Sequence, residues 1–273
     1  MTTSGPSAPT EAEDVGGVGG APPAQLPRRQ LLIETWVVLG LSLGASAIWS
    51  VLAIIDKLTT NVALSQQTTA MNSSVTPDRP WLDLAYKLVG IALALVPVAL
   101  VLHLLSRELP GAAHRMGLDL RSPLSDLGRG VLLAAAVGIP GLGLYAAARA
   151  LGANTTIAAA NLTSQWWTIP VLLLAAAQNA LLEEVVMIGY LFARWHQAGW
   201  STRTVLLASA LIRGSYHLYQ GFGGFAGNAI MGLVFGWVYT RTKRVGPLVV
   251  AHTLLDVVAF VGYTLLKGHL SWI

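Results

Sequence analysis

The chain has 273 residues, of which 54% are hydrophobic and 11% charged, with a mean hydropathy of +0.60. A soluble domain keeps about a quarter of its residues charged because its surface faces water, so this composition excludes a globular surface and fits an exterior that lies in lipid. The net charge of +4 and pI of about 9.6 are assigned to basic cytoplasmic loops rather than to nucleic-acid binding. Cysteine is absent, which excludes disulfides, thiol nucleophiles and Cys-ligated zinc.

Residues 1–27 are rich in Pro, Gly, Ala, Ser and Thr and carry the acids Glu11, Glu13 and Asp14. No apolar run follows a basic start, so the stretch reads as a disordered tail and not as a cleavable signal peptide. A spanning helix needs roughly 20 mostly apolar residues. Segments near 32–55, 81–105, 130–151, 168–193, 203–220, 225–241 and 246–267 meet that test. The expected fold is an all-α polytopic membrane helix bundle of about seven transmembrane helices, or eight if one segment is broken.

Lysine and arginine orient the bundle. Arg28 and Arg29 precede the first segment; Arg107, Arg115, Arg121 and Arg129 follow the second. Arg194 and Arg203 flank the next inward loop, and Arg241, Lys243 and Arg244 fill the last one. The alternate loops hold only Lys57 and Arg79, and residues 152–166 hold no charge. This asymmetry predicts a multi-pass protein of the cell membrane with a cytoplasmic N-terminus, and the Ala- and Arg-rich, Lys-poor composition points to a bacterial plasma membrane.

An ionised side chain at mid-bilayer costs at least about 2.5–3.5 kcal/mol on insertion scales, so the polar residues inside apolar segments need a reason. They are Asn179, Glu183, Glu184, Arg213, His217, His252 and Asp256. Successive helical positions differ by about 100°, so Glu183 and Glu184 point apart, one to a polar cavity and one to a neighbouring helix. Arg213 and His217, and again His252 and Asp256, are spaced i, i+4 and are expected to share a helix face. Each pair alone is as consistent with helix–helix hydrogen bonding. Three clusters on successive segments supply a carboxylate base, two imidazoles and a further hydrogen-bonding group, which suffices to activate water and stabilise an oxyanion.

Glu-Glu, then a His four residues after a helical partner, then His-x-x-x-Asp on separate membrane helices resembles the CPBP intramembrane proteases, the CAAX prenyl endopeptidase or Abi family. The resemblance covers about residues 165–260, including Gly189, the stretch Gly232–Trp237 and Pro247. It divides the chain into the tail 1–27, variable N-terminal helices with a cytoplasmic loop over 28–160, and a catalytic membrane domain over 161–273. It implies an endopeptidase in which Glu183 activates water with help from His217. His252 and Asp256 then bind the oxyanion, and Glu184 supports. No cofactor is favoured; zinc would be the metal alternative, held by Glu183, His217 and His252 with an open position for water. Two positions depart from the family pattern: its usual arginine is Ile188 and its usual aromatic is Arg213. These are read as compensating changes, with Arg213 supplying the cation for the second glutamate. Asp256 also departs, because Asp donates a hydrogen bond only when protonated.

The implied partners are the lipid bilayer and a peptide or membrane-protein substrate, lipidated, membrane-bound or small. Two other readings compete. A proton-coupled transporter would use the same residues as a relay, but inverted repeats are not found. A catalytically inactive scaffold or immunity factor should have lost a catalytic position, yet Glu183, His217 and His252 are all present.

Overall fold

In hydrocarbon a backbone can bond only to itself, so long apolar runs fold as helices. The computed structural model describes residues 1–2, 26–108 and 110–267, and most of the expected tail 1–27 lies outside these. The helices in chain order are α1 (Arg28–Gly40), α2 (Leu43–Thr59), α3 (Pro80–Ala94), α4 (Val96–Ser106), the single turn α5 (Ala112–Arg115), α6 (Pro123–Ala150), α7 (Thr168–Glu183), α8 (Leu191–Gln197), α9 (Thr202–Ser215), α10 (Phe222–Thr242) and α11 (Gly246–Leu266). Two short strands, β1 (Thr68–Ala70) and β2 (Thr156–Ala158), pair in parallel.

Local chemistry sets the starts and breaks. Pro80, Pro97, Pro123 and Pro247 stand in the first two positions of α3, α4, α6 and α11, where a missing N–H costs nothing. Pro97 also separates α3 from α4 at Leu95. Ser201 caps α9 by accepting the Thr204 N–H at 3.2 Å. The first expected segment is not straight: α1 and α2 meet at 54°. At the bend Ser42 Oγ donates to the Val38 carbonyl at 2.7 Å, a bond that competes with the helical ladder.

Among the described residues five helices, with α3–α4 and α7–α8 each counted as one, are long and apolar enough to cross a membrane; the bent α1–α2 pair makes six. The seventh expected segment, 203–220, departs from a full span. Its helix α9 has 14 residues, about 21 Å at 1.5 Å per residue, against a hydrocarbon core of roughly 30 Å. A turn completes the crossing. Gln220 accepts the Thr155 N–H at 3.0 Å, Tyr219 N donates to Ser50 Oγ at 2.6 Å, and Gly221 bridges Asn154. Gly221 has φ 119°, and a Cβ there would lie 2.7 Å from the Ala153 carbonyl oxygen, so only glycine fits.

The loops segregate to two faces. Residues 60–79, 151–167 and 216–221 meet around β1 and β2, where the Thr69 and Thr155 hydroxyls bond at 2.7 Å. At the opposite face Val245 N donates to Met116 O at 2.8 Å, and Arg244 pairs with Asp126 at 2.6 Å and Asp119 at 3.1 Å. Around the bundle Trp36, Trp81, Leu132, Ile139 and Leu142 are exposed, which in lipid is the favourable arrangement. The best-buried stretch is Val185–Tyr190, none of it more than 1% exposed except that Gly189 is classed simply as buried.

Candidate functional site

The chain between α7 and α8, Glu184–Tyr190, is π-helical. Such wider turns inside α-helices recur at functional sites because they shift side chains out of the α register. Glu183 closes α7 and Glu184 opens the wider segment, and the two carboxylates do face different surroundings. Glu183 lines a cavity of about 520 Å³, whereas Glu184 is fully buried among neighbouring helices.

Both nevertheless meet one guanidinium. Arg213 Nη2 donates to Glu183 Oε2 at 3.1 Å and also pairs with Glu184 Oε1, while Nη1 donates to Glu184 Oε2 at 3.3 Å. The guanidinium lies 5.4 Å from the centre of the Phe235 ring, a cation–π contact. Room for its stem comes from Gly232, where a Cβ would stand 3.1 Å from Arg213 Cδ. Ile188, at the family's arginine position, is 1% exposed within the apolar core. The charge that Ile188 lacks is thus delivered from α9.

Tyr216 Oη donates to Glu183 Oε2 at 2.7 Å. Arg213 and Tyr216 therefore both bind Oε2, and among the described residues no protein donor reaches Oε1. Sequence reasoning gave Tyr216 no role, although it sits between Arg213 and His217; an aromatic hydroxyl beside an intramembrane His was the available signal.

His217 and Arg213 do not share a face as their spacing suggested. Helix α9 ends at Ser215, and His217 lies in the turn, lining the cavity. Its Nδ1 contacts the Arg213 carbonyl at 3.1 Å. A carbonyl only accepts, so Nδ1 carries the proton and the other nitrogen, Nε2, is left for the cavity. His252 Nδ1 lies 2.7 Å from Glu184 Oε1 and donates to it. This also means that the 3.2 Å approach of Arg213 Nη2 to the same nitrogen is not a hydrogen bond, since both are donors. His252 Nε2 faces Asp256 Oδ1 at 3.8 Å, a contact too long for a hydrogen bond.

Asp256 Oδ2 instead accepts from Asn179 Nδ2 at 3.1 Å. Asn179 lies one turn before Glu183 on α7 and lines the same cavity. It had been noted only as an intramembrane polar residue; its partner is 77 positions away, which no local pattern reveals.

The cluster bears on the metal question. The residues whose ligand atoms converge within 4.8 Å are Glu183, Glu184 and His252, so Glu184 stands where His217 was expected. The carboxylate oxygens of this group already bond the Arg213 guanidinium at 3.1–3.3 Å. A divalent cation on the same oxygens would meet a fixed cation at contact distance, and only one imidazole would reach it. The residues do not fit zinc without displacing Arg213.

The comparisons fall on the same region. Residues 165–258 match the model of the Rce1-like family, the type II CAAX prenyl endopeptidase Rce1-like proteins. Those residues span α7 through most of α11 and contain every member of the cluster. No curated protein and no solved structure matches the chain.

Proposed function

We infer that this chain, a member of the Rce1-like family through residues 165–258, is an intramembrane CAAX-type endopeptidase that hydrolyses a peptide bond with water activated by Glu183. The observation that carries this reading is the division of labour between the two glutamates. Glu184 is spent on Arg213 and His252. Glu183 is anchored through Oε2 and faces the cavity through Oε1.

In the proposed reaction a water held between Glu183 Oε1 and His217 Nε2 gives its proton to Glu183. The resulting hydroxide attacks the scissile carbonyl carbon, and the carbonyl π pair moves onto oxygen. The oxyanion is received beside His252 and Asn179. Asn179 has a second N–H beyond the one given to Asp256, so it supplies the donor that an ionised Asp256 lacks. Asp256 orients Asn179 and faces His252 Nε2. When the tetrahedral intermediate collapses, the C–N bond breaks and Glu183 returns its proton to the leaving amine. No step requires a metal.

The test is turnover of a quenched-fluorescence peptide library by the detergent-purified full chain, wild type beside Glu183→Gln, with and without a chelator. Loss of a general base costs about 10²–10⁴ in rate, so Glu183→Gln is expected to lose at least that while its melting temperature stays near wild type. Chelator should leave the wild type unchanged. Retained turnover in Glu183→Gln would falsify the assignment. A folded wild type that cuts no library would favour the inactive scaffold.

A further inference from the structure

The cavity is not symmetric between the two faces of the bundle. Beyond the cluster it is lined by Met71, Asn154, Ile157 and Ala159 from the loops around β1 and β2, and by Gly223 and Phe260 from the ends of α10 and α11 nearest those loops. No residue of the opposite face lines it. That opposite end is closed by ion pairs: Arg194 with Glu34 and Glu108, and Arg244 with Asp119 and Asp126.

Cations mark which face is which. The chain has 17 Lys and Arg. Of these only Lys57, Arg79, Lys87, Arg149 and Lys267 stand at the ends of helices that reach the cavity mouth, and Arg213 lies between the faces. The rest belong to the closed end. An excess of Lys and Arg marks the cytoplasmic side, so the open end is extracytoplasmic. Apart from the cluster itself the cavity wall carries no charged side chain, and a charged substrate residue would be desolvated there without a partner.

We propose that the site takes its substrate from the extracytoplasmic side, as an uncharged peptide segment that descends past the β1–β2 loops to Glu183. The word substrate rests on the peptidase reading; the direction of access does not. The natural absence of cysteine allows a test that needs no turnover. Single cysteines are introduced in the full chain as Val75→Cys on the loop face, Ala259→Cys in the cavity wall and Arg115→Cys at the closed face, all three exposed positions. Each is reacted with a membrane-impermeant maleimide in spheroplasts and in inverted vesicles.

The expected result is labelling of Val75→Cys and Ala259→Cys at least tenfold faster in spheroplasts, with Arg115→Cys reacting only in inverted vesicles. Ala259→Cys reacting together with Arg115→Cys would place the mouth at the basic face and overturn the proposal. So would a reversal of all three, or an Ala259→Cys that reacts from neither side. The peptide library tests the second half: cleavage is expected between uncharged residues, and preferred cutting beside Lys, Arg, Asp or Glu would refute an uncharged segment. If Glu183→Gln kept full turnover while the labelling came out as expected, the catalytic assignment would fail and the direction of access would stand.

Discussion

Arg194 and Arg213 are buried to the same degree, 0% and 1% exposed, and each pairs with two carboxylates, yet their surroundings differ in one respect. Every nitrogen of Arg194 has a partner. Nε donates to Glu34 at 2.7 Å, Nη1 reaches Gln197 at 3.0 Å and Glu108 at 2.9 Å, and Nη2 donates to the Leu104 carbonyl at 3.2 Å. Tyr190 Oη completes the shell on Glu34 at 2.8 Å. Arg213 leaves its buried Nε unpartnered and concentrates its bonds on two glutamates, one of which opens on the cavity. A closed ionic network ties helices together; an incomplete one beside a cavity has capacity left for a substrate. The contrast separates architecture from chemistry more cleanly than burial or charge does.

The largest expected effects come from breaking each arginine in turn. Removing one partner of a buried ion pair costs about 3–5 kcal/mol because the remaining charge is stranded. Arg213→Ala and Arg194→Ala should therefore both lower the melting temperature severely, read by thermal unfolding in detergent. They should part in turnover per folded molecule, lost in Arg213→Ala and kept in Arg194→Ala. Ile188→Arg added to Arg213→Ala returns a cation to the position of the family pattern and should recover part of the stability. An Arg194→Ala protein that is folded but inactive would erase the distinction between the two networks, and a double variant no better than Arg213→Ala would remove the compensation.

Much of this was legible in the sequence, and the remainder was hidden for identifiable reasons. The helical fold and the identities of Glu183, Glu184, His217, His252 and Asp256 follow from a local signal, a polar residue where lipid demands an apolar one. The cation for Glu184 was also readable, because Ile188 and Arg213 depart from one pattern in opposite senses. What the sequence conceals is pairing over distance. Arg194 with Glu34, and Asn179 with Asp256, lie 160 and 77 positions apart, and periodicity carries no information at that range. The i, i+4 reading of Arg213 and His217 failed because α9 stops at Ser215, so helical spacing no longer fixes where His217 points. The expected length of that segment failed with it, since the turn 216–221 extends the apolar run without extending the helix.

Smaller effects sharpen the comparison within the cluster. Asn179→Ala removes the donor beside Asp256 and is expected to lower kcat by about 10²–10³, the usual cost of one oxyanion donor, with KM little changed. Tyr216→Phe removes one neutral hydrogen bond from Glu183, which is worth about 1 kcal/mol of stability. Its expected signature is a modest fall in kcat of roughly tenfold or less, because Arg213 still holds the same oxygen. Steady-state kinetics on any peptide the wild type cleaves would rank the two, and a Tyr216→Phe defect larger than that of Asn179→Ala would mean that anchoring the base matters more than receiving the oxyanion.

The smallest effect belongs to the closed face, where the ion pairs are structural and partly wet. Asp119 accepts from Arg121 at 2.8 Å and from Arg244 at 3.1 Å. The Arg121 bond first, and Arg244 after it, hold its carboxyl well below the usual range despite some opposing burial. A group whose pKa is depressed by folding contributes stability that is fully present above its unfolded value, about 3.9, and is lost as pH falls through the folded one. Acidification from pH 5 to pH 3 should therefore lower the melting temperature of the wild type more than that of Asp119→Asn, which has no carboxylate to protonate. The difference should be slight, since exposed pairs contribute little, and it should shrink in high salt. Equal acid sensitivity in the two proteins would mean that Asp119 does not help to close this face, leaving Asp126 as the anchor of Arg244.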